Sequence, residues 1–459
     1  MTQHVHFIGI GGTGLSAIAR VLLDSGFKVS GSDQHYGSLA QAVDVAGARV
    51  FVGHRAENVL GADKVIRSSA IPDSNVEVQA ALDSGIPVLK RADFLGGLMD
   101  DRQGIAVAGS HGKTSTTAML AWVLTALKQD PTFIVGGNVT NLKTNAKAGK
   151  GPTFLIEADE YDYMFLGLRP KIAVVTNVEH DHPDIFPTLE DFQKAFYDFV
   201  RTLPADGVLL VCGDDPGAAD LLPAARDDGY QALSYGLNAI SYDYFARDVT
   251  INSNGGFTFD VFSKSKCMCS CELQVAGIHN VSNAMATLAV IDQLGLPVDH
   301  AANALAAFTG VGRRFQILGK AQGVTIIDDY GHHPTEIRAT LAAARARFPN
   351  RTIWAVWQPH TYSRTQLLFD DFVDSFGDAD HIIVTAIFRA REPANPNFTA
   401  SQVVDAMKNT DAHFINDLPD AAAYLINRIK FGDVIIVFSA GDANQVSAQV
   451  FAALSGMKE

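Results

Sequence analysis

Cysteine is scarce in this sequence, and its few copies do not form the pattern of a disulfide framework. Only four of the 459 residues are cysteine, and three of them, Cys267, Cys269 and Cys271, alternate along one short segment. Alternation on a strand places all three on one face, which leaves a thiolate metal site open as an interpretation. No second cysteine or histidine cluster completes a tetrahedral set at the usual spacing, so we predict a strand face of small residues. The scarcity of cysteine is typical of a reducing compartment.

Long hydrophobic runs and an excess of positive charge are also missing. No apolar run reaches the roughly 18–20 residues needed to span a bilayer, and the N-terminus leads directly into a predicted strand rather than a signal peptide. The formal net charge of −14 disfavours a nucleic-acid-binding surface. The 47% hydrophobic and 19% charged residues are typical of a globular chain, and the length suggests roughly two to four domains. We therefore expect a soluble cytoplasmic protein without membrane or nucleic-acid partners.

The most specific motif is a glycine-rich turn between the apolar run Ile105–Ala108 and an amphipathic helical pattern. Its residues are Gly109, Ser110, His111, Gly112, Lys113, Thr114 and Ser115. In such a turn the glycines let backbone N–H groups face a polyphosphate, the lysine supplies a cation, and the threonine hydroxyl can ligate Mg²⁺. The full pattern has a further glycine where this chain has Val107, so a turn without a ligand is the alternative. The strand–turn–helix context predicts a nucleotide phosphate site.

A second glycine-rich turn lies near the N-terminus, after the predicted strand His4–Ile10. A helical pattern and a short strand, Lys28–Ser30, follow it, which is the order of a βαβ nucleotide-binding unit. Asp33 lies about 20 residues past the glycines, where an acid can hold a ribose hydroxyl. The residues alone leave three interpretations open, namely NAD(P), another nucleotide, or a turn that only packs.

Acidic and histidine clusters follow two predicted strands after the phosphate loop. Thr153–Ile156 is followed by Glu157 and further acids, and Lys171–Thr176 is followed by a cluster that ends in His182. Because the carboxyl ends of parallel strands meet at one edge of a sheet, we expect these side chains beside the phosphate loop. Carboxylates suit Mg²⁺, and histidine is a less usual ligand for it. The alternative for each cluster is a solvated acidic loop.

The remaining segments complete the domain organisation. The polar segment Arg91–Asp101 is predicted to be an irregular hinge after the first domain. Residues 232–275 alternate short strands with an Asn-Gly-Gly turn, which predicts an antiparallel insertion at the edge of the central domain. Asn280 and Asn283 share one face of the next helix, where ligand binding or helix capping would explain them. Later strands again end in polar residues, which indicates a third α/β domain.

Six motifs together resemble those of the Mur ligase family, whose members are ATP-dependent amide-bond-forming enzymes of peptidoglycan synthesis. The motifs are Gly109–Thr114, Glu157–Asp162, Asn177–His182, His279–Asn283, Gly310–Phe315 and Asp328–Glu336. The resemblance covers essentially the whole chain and implies an α/β fold with three domains. These would be a Rossmann-like UDP-sugar-binding domain (1–101), a central P-loop ATPase-type domain whose parallel sheet has a small antiparallel portion (102–312), and a Rossmann-like C-terminal domain (313–459). Because the central domain then takes ATP, the first glycine turn is expected to hold the UDP-sugar.

The resemblance also implies a role for each matched residue. The ATP-binding residues would be Gly109, Ser110, His111, Gly112, Lys113, Thr114, Ser115, Asn280, Asn283, Arg314 and Asp329. The UDP-sugar-binding residues would be Gly11, Gly12, Thr13, Gly14, Ser32, Asp33 and Ser69. The metal-binding residues would be Thr114, Glu157 and His182, and the amino-acid-binding residues would be Tyr330, His332 and Arg364. The catalytic residues would be Lys113, His182, Arg314 and Asp329.

Within the family, the N-terminal motifs and the stretch Gln358–Arg364 favour an activity that joins L-alanine to the lactyl carboxylate of UDP-N-acetylmuramate. ATP and Mg²⁺ are the implied cofactors, an acyl phosphate is the implied intermediate, and a monomer or weak homodimer is expected. The alternative is a muropeptide-recycling ligase, which adds a ready-made tripeptide to the same sugar nucleotide and differs at Gln358–Arg364. An NAD(P)-dependent oxidoreductase would leave Gly112–Thr114 unexplained, and a catalytically silent nucleotide-binding protein would release no phosphate.

Overall fold

The chain forms three β-sheets. The computed structural model describes residues 2–408 and 411–456. The residues outside this part, which fall in the expected first and third domains, are Met1, Asn409, Thr410 and Met457–Glu459. Most neighbouring strands are parallel, and helices alternate with them along the chain. The predicted α/β fold with three domains is therefore confirmed.

The N-terminal sheet has five parallel strands in the order β3-β2-β1-β4-β5. Its elements are β1 (His4–Ile8), α1 (Thr13–Asp24), β2 (Lys28–Asp33), α2 (Ser38–Val45), β3 (Arg49–Val52), a 3₁₀ turn (Ala56–Val59), β4 (Lys64–Arg67), α3 (Val76–Asp83), β5 (Val88–Lys90) and α4 (Arg91–Met99). The order reverses at β1, so the crevice where such sheets bind ligands lies outside the carboxyl ends of β1 and β4.

The central sheet has ten strands in the order β15-β14-β13-β12-β11-β10-β6-β9-β7-β8. Its first elements are β6 (Gln103–Ala108), α5 (Lys113–Ala126), β7 (Thr132–Val139), β8 (Thr144–Lys147), β9 (Thr153–Glu157), a 3₁₀ segment (Tyr161–Gly167), β10 (Ile172–Val175) and α6 (Leu189–Val200). The others are β11 (Val208–Cys212), α7 (Pro216–Ala219), α8 (Leu221–Asp227), β12 (Gln231–Gly236), β13 (Tyr244–Ile251), β14 (Phe257–Ser263), β15 (Lys266–Leu273), α9 (Ile278–Gln293) and α10 (Val298–Leu305). Parallel pairing of β10, β6 and β9 brings their carboxyl ends to one edge.

The C-terminal sheet has six strands in the order β16-β17-β21-β18-β19-β20, and only β16 runs antiparallel. Its elements are β16 (Gln316–Ala321), β17 (Val324–Asp329), α11 (Pro334–Arg347), β18 (Ile353–Trp357), α12 (Tyr362–Leu367), α13 (Phe369–Val373), β19 (His381–Val384), α14 (Ser401–Ala406), β20 (Ala412–Phe414), α15 (Leu418–Ile426), β21 (Val434–Phe438) and α16 (Asn444–Gly456).

Side chains of the inner strands alternate between two cores because successive residues of a strand face opposite sides. In β6, Ile105 and Val107 pack into the core beneath α5 and α9, whereas Ala106 and Ala108 pack into the core on the other face. Buried on both faces, such strands appear in the sequence as continuous apolar runs. None of the helices within the described ranges combines the length and apolar character needed to span a bilayer.

The predicted irregular conformation of Arg91–Asp101 is wrong, because most of this segment forms the helix α4, whereas its role as a hinge stays a prediction. Leu95 and Met99 are buried on its inner side. A Cβ atom on Gly96 would lie 2.3 Å from the carbonyl oxygen of Gly167, so the glycine allows α4 to contact the central domain closely. The two glycines of this helix weaken its helical signal in the sequence.

The segment 232–275 contains the predicted antiparallel portion, in which β13, β14 and β15 pair antiparallel. Its first strand, β12, is instead parallel to β11. The segment therefore lengthens the central sheet at one end, continuing the parallel strands.

Candidate active site

The phosphate loop connects the end of β6 to the start of α5 at Lys113. Gly109 and Gly112 have φ angles of 133° and 80°, which favour glycine. A Cβ on Gly109 would lie 2.0 Å from the hydroxyl oxygen of Thr176, so the loop passes directly against the end of β10. The Ser110 hydroxyl donates to the carbonyl oxygen of Glu179 at 2.6 Å, which fixes the loop further. The loop is thus held by the strand that precedes the second acidic cluster.

Lys113 turns back onto its own loop and pairs with a buried carboxylate. Its ammonium group donates to the carbonyl oxygens of Gly109 and Ser110 and lies 2.9 Å from Glu160 Oε2. Burial alone would lower the pKa of Lys113, but Glu160 raises it, so the side chain stays cationic. Glu160 lies within the motif Glu157–Asp162 but was assigned no role from the sequence, although its position in that acidic run was a usable signal.

Thr114 and Glu157 meet at the base of the same loop. The Thr114 hydroxyl donates to Glu157 Oε1 at 2.9 Å, and the Gly136 amide donates to Oε2 at 2.7 Å. Burial raises the pKa of Glu157 despite the nearby Lys113. A buried carboxylate beside a hydroxyl is an all-oxygen donor set of the kind that suits Mg²⁺. His182 lies on the far side of Glu160, with its Nε2 atom 3.5 Å from Glu160 Oε1.

A cavity of about 520 Å³ lies between the central and C-terminal domains. The predicted ATP-binding residues that line it are His111, Gly112, Thr114, Ser115, Asn280, Asn283, Arg314 and Asp329. Gly109, Ser110 and Lys113 are not among its lining residues, and Lys113 is instead held by the contacts described above. Residues separated by more than 200 positions in the sequence therefore share one cleft.

Asn280 and Asn283 connect α9 to the phosphate loop. Asn283 donates to the Asn280 side-chain oxygen at 3.1 Å and accepts from the Thr116 hydroxyl at 3.1 Å. A Cβ on Gly112 would lie 2.8 Å from the Asn283 side-chain oxygen. Asn280 in turn donates to the Ala276 carbonyl oxygen at 2.7 Å. Both amides are buried and oriented by these bonds, so the expectation that they share a face is confirmed.

Arg314 and Asp329 form the wall contributed by the C-terminal domain. Arg314 donates to Glu336 Oε1 at 3.0 Å, and its guanidinium lies 5.2 Å from the centre of the Tyr330 ring. Asp329 accepts the backbone amides of Phe315 and Gly331, each at 2.7 Å. Burial raises the pKa of Asp329 to about 6, although Arg314 and these amides favour the charged form.

The predicted amino-acid residues converge on Asp181, which sequence reasoning missed. Arg364 Nε and Nη2 each lie 2.8 Å from Asp181 Oδ1, and both side chains are only 4% exposed. His332 Nε2 is 3.9 Å from Asp181 Oδ2, and the Tyr330 ring stands edge-on to His332 at 5.5 Å. His360 contacts Arg364 Nη1 at 2.9 Å through Nδ1. Burial would raise the pKa of Asp181, but Arg364 holds it well below its usual range.

In the first domain, Asp33 closes the glycine turn. Its carboxylate accepts the Gly11 amide at 2.9 Å, and a Cβ on Gly11 would meet the same carboxylate. Gly12 and Thr13 are exposed where α1 begins, and Ser69 is exposed after β4. Ser32 differs, because it is fully buried.

The Ser32 hydroxyl contacts two groups inside the first domain. It donates to the buried carboxylate of Glu77, and it lies 3.0 Å from His54 Nδ1. Ser32 therefore faces the interior of the first domain and fixes the end of β2 there, whereas Gly12, Thr13 and Ser69 are exposed to solvent.

A smaller cleft of about 130 Å³ joins the first domain to the central site. Thr13 and Gly14 line one side, and Glu157 and Asp159 line the other. Arg91 from α4 crosses between them and donates to Asp159 at 3.0 Å. The first glycine turn therefore opens towards the carboxylates beside the phosphate loop.

The three alternating cysteines belong to no close group of possible metal ligands in the described part of the chain. All are free thiols on β15, and Cys267 is exposed, Cys269 half-buried and Cys271 buried. Within the described part of the chain, the one group of three possible metal ligands whose donor atoms lie close together is His111, Glu179 and His333.

Family models match along most of the chain. The Mur ligase family catalytic domain matches residues 4–103, the Mur ligase middle domain matches 107–291, and the Mur ligase glutamate ligase domain matches 313–441. A UDP-N-acetylmuramate–L-alanine ligase of Acidithiobacillus ferrooxidans is 43% identical over 454 residues, covering 97% of each chain. A protein of the same name from Sorangium cellulosum is 43% identical, covering 96% of this chain and 94% of its own.

Solved structures of similarly named ligases resemble this chain along its full length. The UDP-N-acetylmuramate–alanine ligase of Thermotoga maritima superposes with a TM-score of 0.83 at 28% identity, over 99% of this chain and all of that one. A murein peptide ligase of Psychrobacter arcticus gives a TM-score of 0.71 at 26% identity, over the full length of both chains. From the matched domains, the shared architecture and the full-length identity, the chain belongs to the Mur ligase family.

Proposed function

We propose that this protein is an ATP-dependent ligase that joins L-alanine to the lactyl carboxylate of UDP-N-acetylmuramate through an acyl phosphate. The observation that carries the proposal is the cavity between the central and C-terminal domains, which gathers the phosphate loop, Asn280, Asn283, Arg314 and Asp329. Mur ligases are ATP-dependent, and the full-length relatives at 43% identity carry the name of the alanine-adding enzyme.

ATP occupies this cavity in the proposal. The backbone amides of the phosphate loop and the N-terminus of α5 face its phosphates, and Lys113 leaves Glu160 to meet them. Asn280 and Asn283 are held by their own hydrogen bonds, so they present fixed polar atoms to the nucleotide. Arg314 approaches from the C-terminal domain and stabilises charge on the transferred phosphoryl group.

Thr114, Glu157 and His182 hold the metal ions in this proposal. The fit rests on the two oxygen donors, which lie 2.9 Å apart, and on the burial of the Glu157 carboxylate, which raises its pKa. When bound, Mg²⁺ supplies positive charge that offsets the phosphate oxygens. The chain's own contribution is to orient the Glu157 carboxylate, which accepts from the Gly136 amide and the Thr114 hydroxyl.

The sugar nucleotide enters from the first domain. Its diphosphate faces the glycine turn at Gly11–Gly14, and its lactyl carboxylate reaches through the cleft lined by Thr13, Gly14 and Glu157. The carboxylate oxygen attacks the γ-phosphorus of ATP, ADP leaves, and a mixed acyl phosphate forms. Phosphate is a far better leaving group than the original oxygen, so an amine can now displace it.

L-Alanine binds beside the third domain. Arg364, which pairs with Asp181 before the substrate binds, exchanges this partner for the alanine carboxylate, and Asp181 and His332 then lie beside the amino group. The neutral amine attacks the acyl carbon, a tetrahedral intermediate collapses, and inorganic phosphate leaves. Because all three domains contribute groups, domain closure both aligns the reactants and keeps water from the acyl phosphate.

One assay separates the proposal from the muropeptide-recycling alternative. Purified protein is incubated with ATP, Mg²⁺ and UDP-N-acetylmuramate, together with either L-alanine or the tripeptide, and the products are identified by mass spectrometry. We expect UDP-N-acetylmuramoyl-L-alanine and ADP in equal amounts, with glycine and L-serine tested in parallel for strictness. Product formed with the tripeptide alone would contradict the proposal.

A further inference from the structure

Three side chains from two domains meet beside the phosphate loop. His111 lies in the loop, Glu179 follows β10, and His333 immediately precedes α11 in the C-terminal domain. Each presents a donor atom within 4.8 Å of the other two. His111 Nε2 is 2.9 Å from Glu179 Oε2, and His333 Nδ1 is 3.9 Å from the same oxygen. The Glu179 carboxylate therefore lies beside both imidazole rings, whose centres are 4.5 Å apart.

The surroundings already orient these donors. The Thr335 hydroxyl donates to Glu179 Oε1 at 2.8 Å, which leaves Oε2 directed at the histidines. The side chains of His333 and His111 are only 4% and 10% exposed. His333 Nδ1 accepts the backbone amide of Thr335 at 3.3 Å, whereas within the described residues His333 Nε2 is buried without a hydrogen-bond partner, so protein groups satisfy only one nitrogen of this ring. Outer hydrogen bonds of this kind are what orients the ligands of metal sites.

The donor set indicates the class of ion. Two imidazoles and one carboxylate, with a fourth position left to water, suit Zn²⁺ and similar transition metals, whereas Mg²⁺ prefers oxygen ligands alone. Bond lengths near 2.0–2.1 Å place tetrahedral ligands roughly 3.4 Å apart, so small side-chain movements would close the site. His111 and Thr335 also line the large cavity, which supplies a path for the ion and its water.

We propose that His111, Glu179 and His333 form an inhibitory site for Zn²⁺, separate from the magnesium residues Thr114 and Glu157. The ion would tie the phosphate loop to the start of α11 and so restrain separation of the central and C-terminal domains. ATP entry and ADP release need that separation, so bound Zn²⁺ lowers turnover. Only this inhibitory consequence rests on the proposed function, because the binding site itself can be measured without substrates.

The test uses the full-length protein with Co²⁺ as a coloured substitute for Zn²⁺, in excess Mg²⁺. We expect one equivalent to bind with the visible absorption of tetrahedral cobalt. His333→Asn removes the imidazole but keeps a residue suited to cap α11, and Glu179→Gln keeps an oxygen for Thr335. Each should bind Co²⁺ at least tenfold more weakly, whereas His300→Asn, which alters an exposed histidine, should bind it unchanged.

Several results would overturn the proposal. These are binding below one equivalent, unchanged affinity in both variants, or affinity lost in Glu157→Gln but kept in His333→Asn. Should a variant fail to fold by circular dichroism, the wild-type chain still gives a test, because Zn²⁺ should shift the side-chain NMR signals of His111 and His333, and unchanged signals would contradict the site. In a separate assay of ADP formation, Zn²⁺ should slow the wild-type enzyme at least fivefold and should slow Glu179→Gln less.

Discussion

The side chain expected to meet ATP phosphates is already occupied by protein groups. Lys113 bonds two carbonyl oxygens of its own loop and pairs with the buried Glu160. The lysine must exchange these partners for phosphate oxygens, and the carboxylate keeps it charged until then.

Replacing this lysine tests its role directly. Lys113→Ala should slow ADP formation at least about a hundredfold, because an electrostatic contact to the transferring group is typically worth that much. Lys194→Ala, which alters an exposed lysine on α6, is the matched control and should keep full activity. Rates are measured by coupled detection of ADP, and an unchanged rate in Lys113→Ala would indicate a contaminating ATPase.

A buried carboxylate organises the first domain. Glu77 is fully buried and accepts from the Ser32 hydroxyl, the Asn58 side-chain amide and the Arg55 backbone amide, and it lies 3.4 Å from His6 Nε2. Burial alone would raise the pKa of Glu77, but these donors lower it to about 2. A folded pKa below the unfolded value means that the stabilisation is present above about pH 4.5 and is lost as the pH falls towards 2.

Glu77→Gln should therefore lower the free energy of unfolding by about 3 kcal/mol at pH 7. The difference from wild type should shrink progressively between about pH 4.5 and pH 2, where the wild-type carboxylate becomes protonated. The free energy of unfolding of the first domain is measured by urea denaturation at several pH values. Glu272→Gln, on the exposed side of β15, should show neither effect; a constant difference at all pH values would rule out the ionised carboxylate as the cause.

Single residues also show where sequence reasoning ends. The phosphate loop was predictable because local spacing along one strand–turn–helix unit marks it, and the position of Glu157 was predictable because it ends the parallel strand beside that unit. Asp181 was not, because its partner Arg364 is 183 residues away. Glu77 was missed for the same reason, since its four donors come from three separate segments and no local pattern joins them.

At the scale of elements, strands buried on both faces were predicted well, and edge strands poorly. The predicted strands Thr153–Ile156 and Lys171–Thr176 match β9 and β10 to within one residue at each end, because apolar runs buried on both faces mark them. β3, β8 and β20 were not predicted, and each lies at or next to the margin of its sheet, where exposed positions interrupt the apolar signal. The prediction that polar clusters follow the carboxyl ends of the strands still holds, because it depends only on the inner strands.

The helix α4 offers a matched pair of glycines. A Cβ on Gly96 would lie 2.3 Å from the Gly167 carbonyl oxygen, whereas a Cβ on its neighbour Gly97 meets nothing within 4 Å. Gly96→Ala should therefore destabilise the contact between the first and central domains by about 1–3 kcal/mol. Gly97→Ala should stabilise the protein by about 0.5–1 kcal/mol, because alanine is the better helix former. Thermal unfolding measures both, and equal shifts would contradict the close contact.

At the scale of the whole molecule, the proposed reaction depends on an interface that is held by charge. Asp181 belongs to the central domain and Arg364 to the C-terminal domain, and their ion pair is almost fully buried. Removing one partner of such a pair leaves the other charge unpaired, at a cost of about 3–5 kcal/mol. In a chain of separate domains, that cost is most easily avoided when the interface opens and water reaches the remaining charge.

A double-mutant cycle separates the two roles of this pair. Arg364→Leu should open the interface, which small-angle scattering would detect as a larger radius of gyration, and should raise the KM for L-alanine at least tenfold. Adding Asp181→Asn removes the unpaired carboxylate, so the double variant should regain the compact radius. If Arg364 binds the substrate carboxylate, the KM should stay high in the double variant, because restoring the interface does not restore the guanidinium. A double variant that regained both compactness and the wild-type KM would mean that Arg364 acts only as an interdomain contact, and the alanine pocket would have to lie elsewhere.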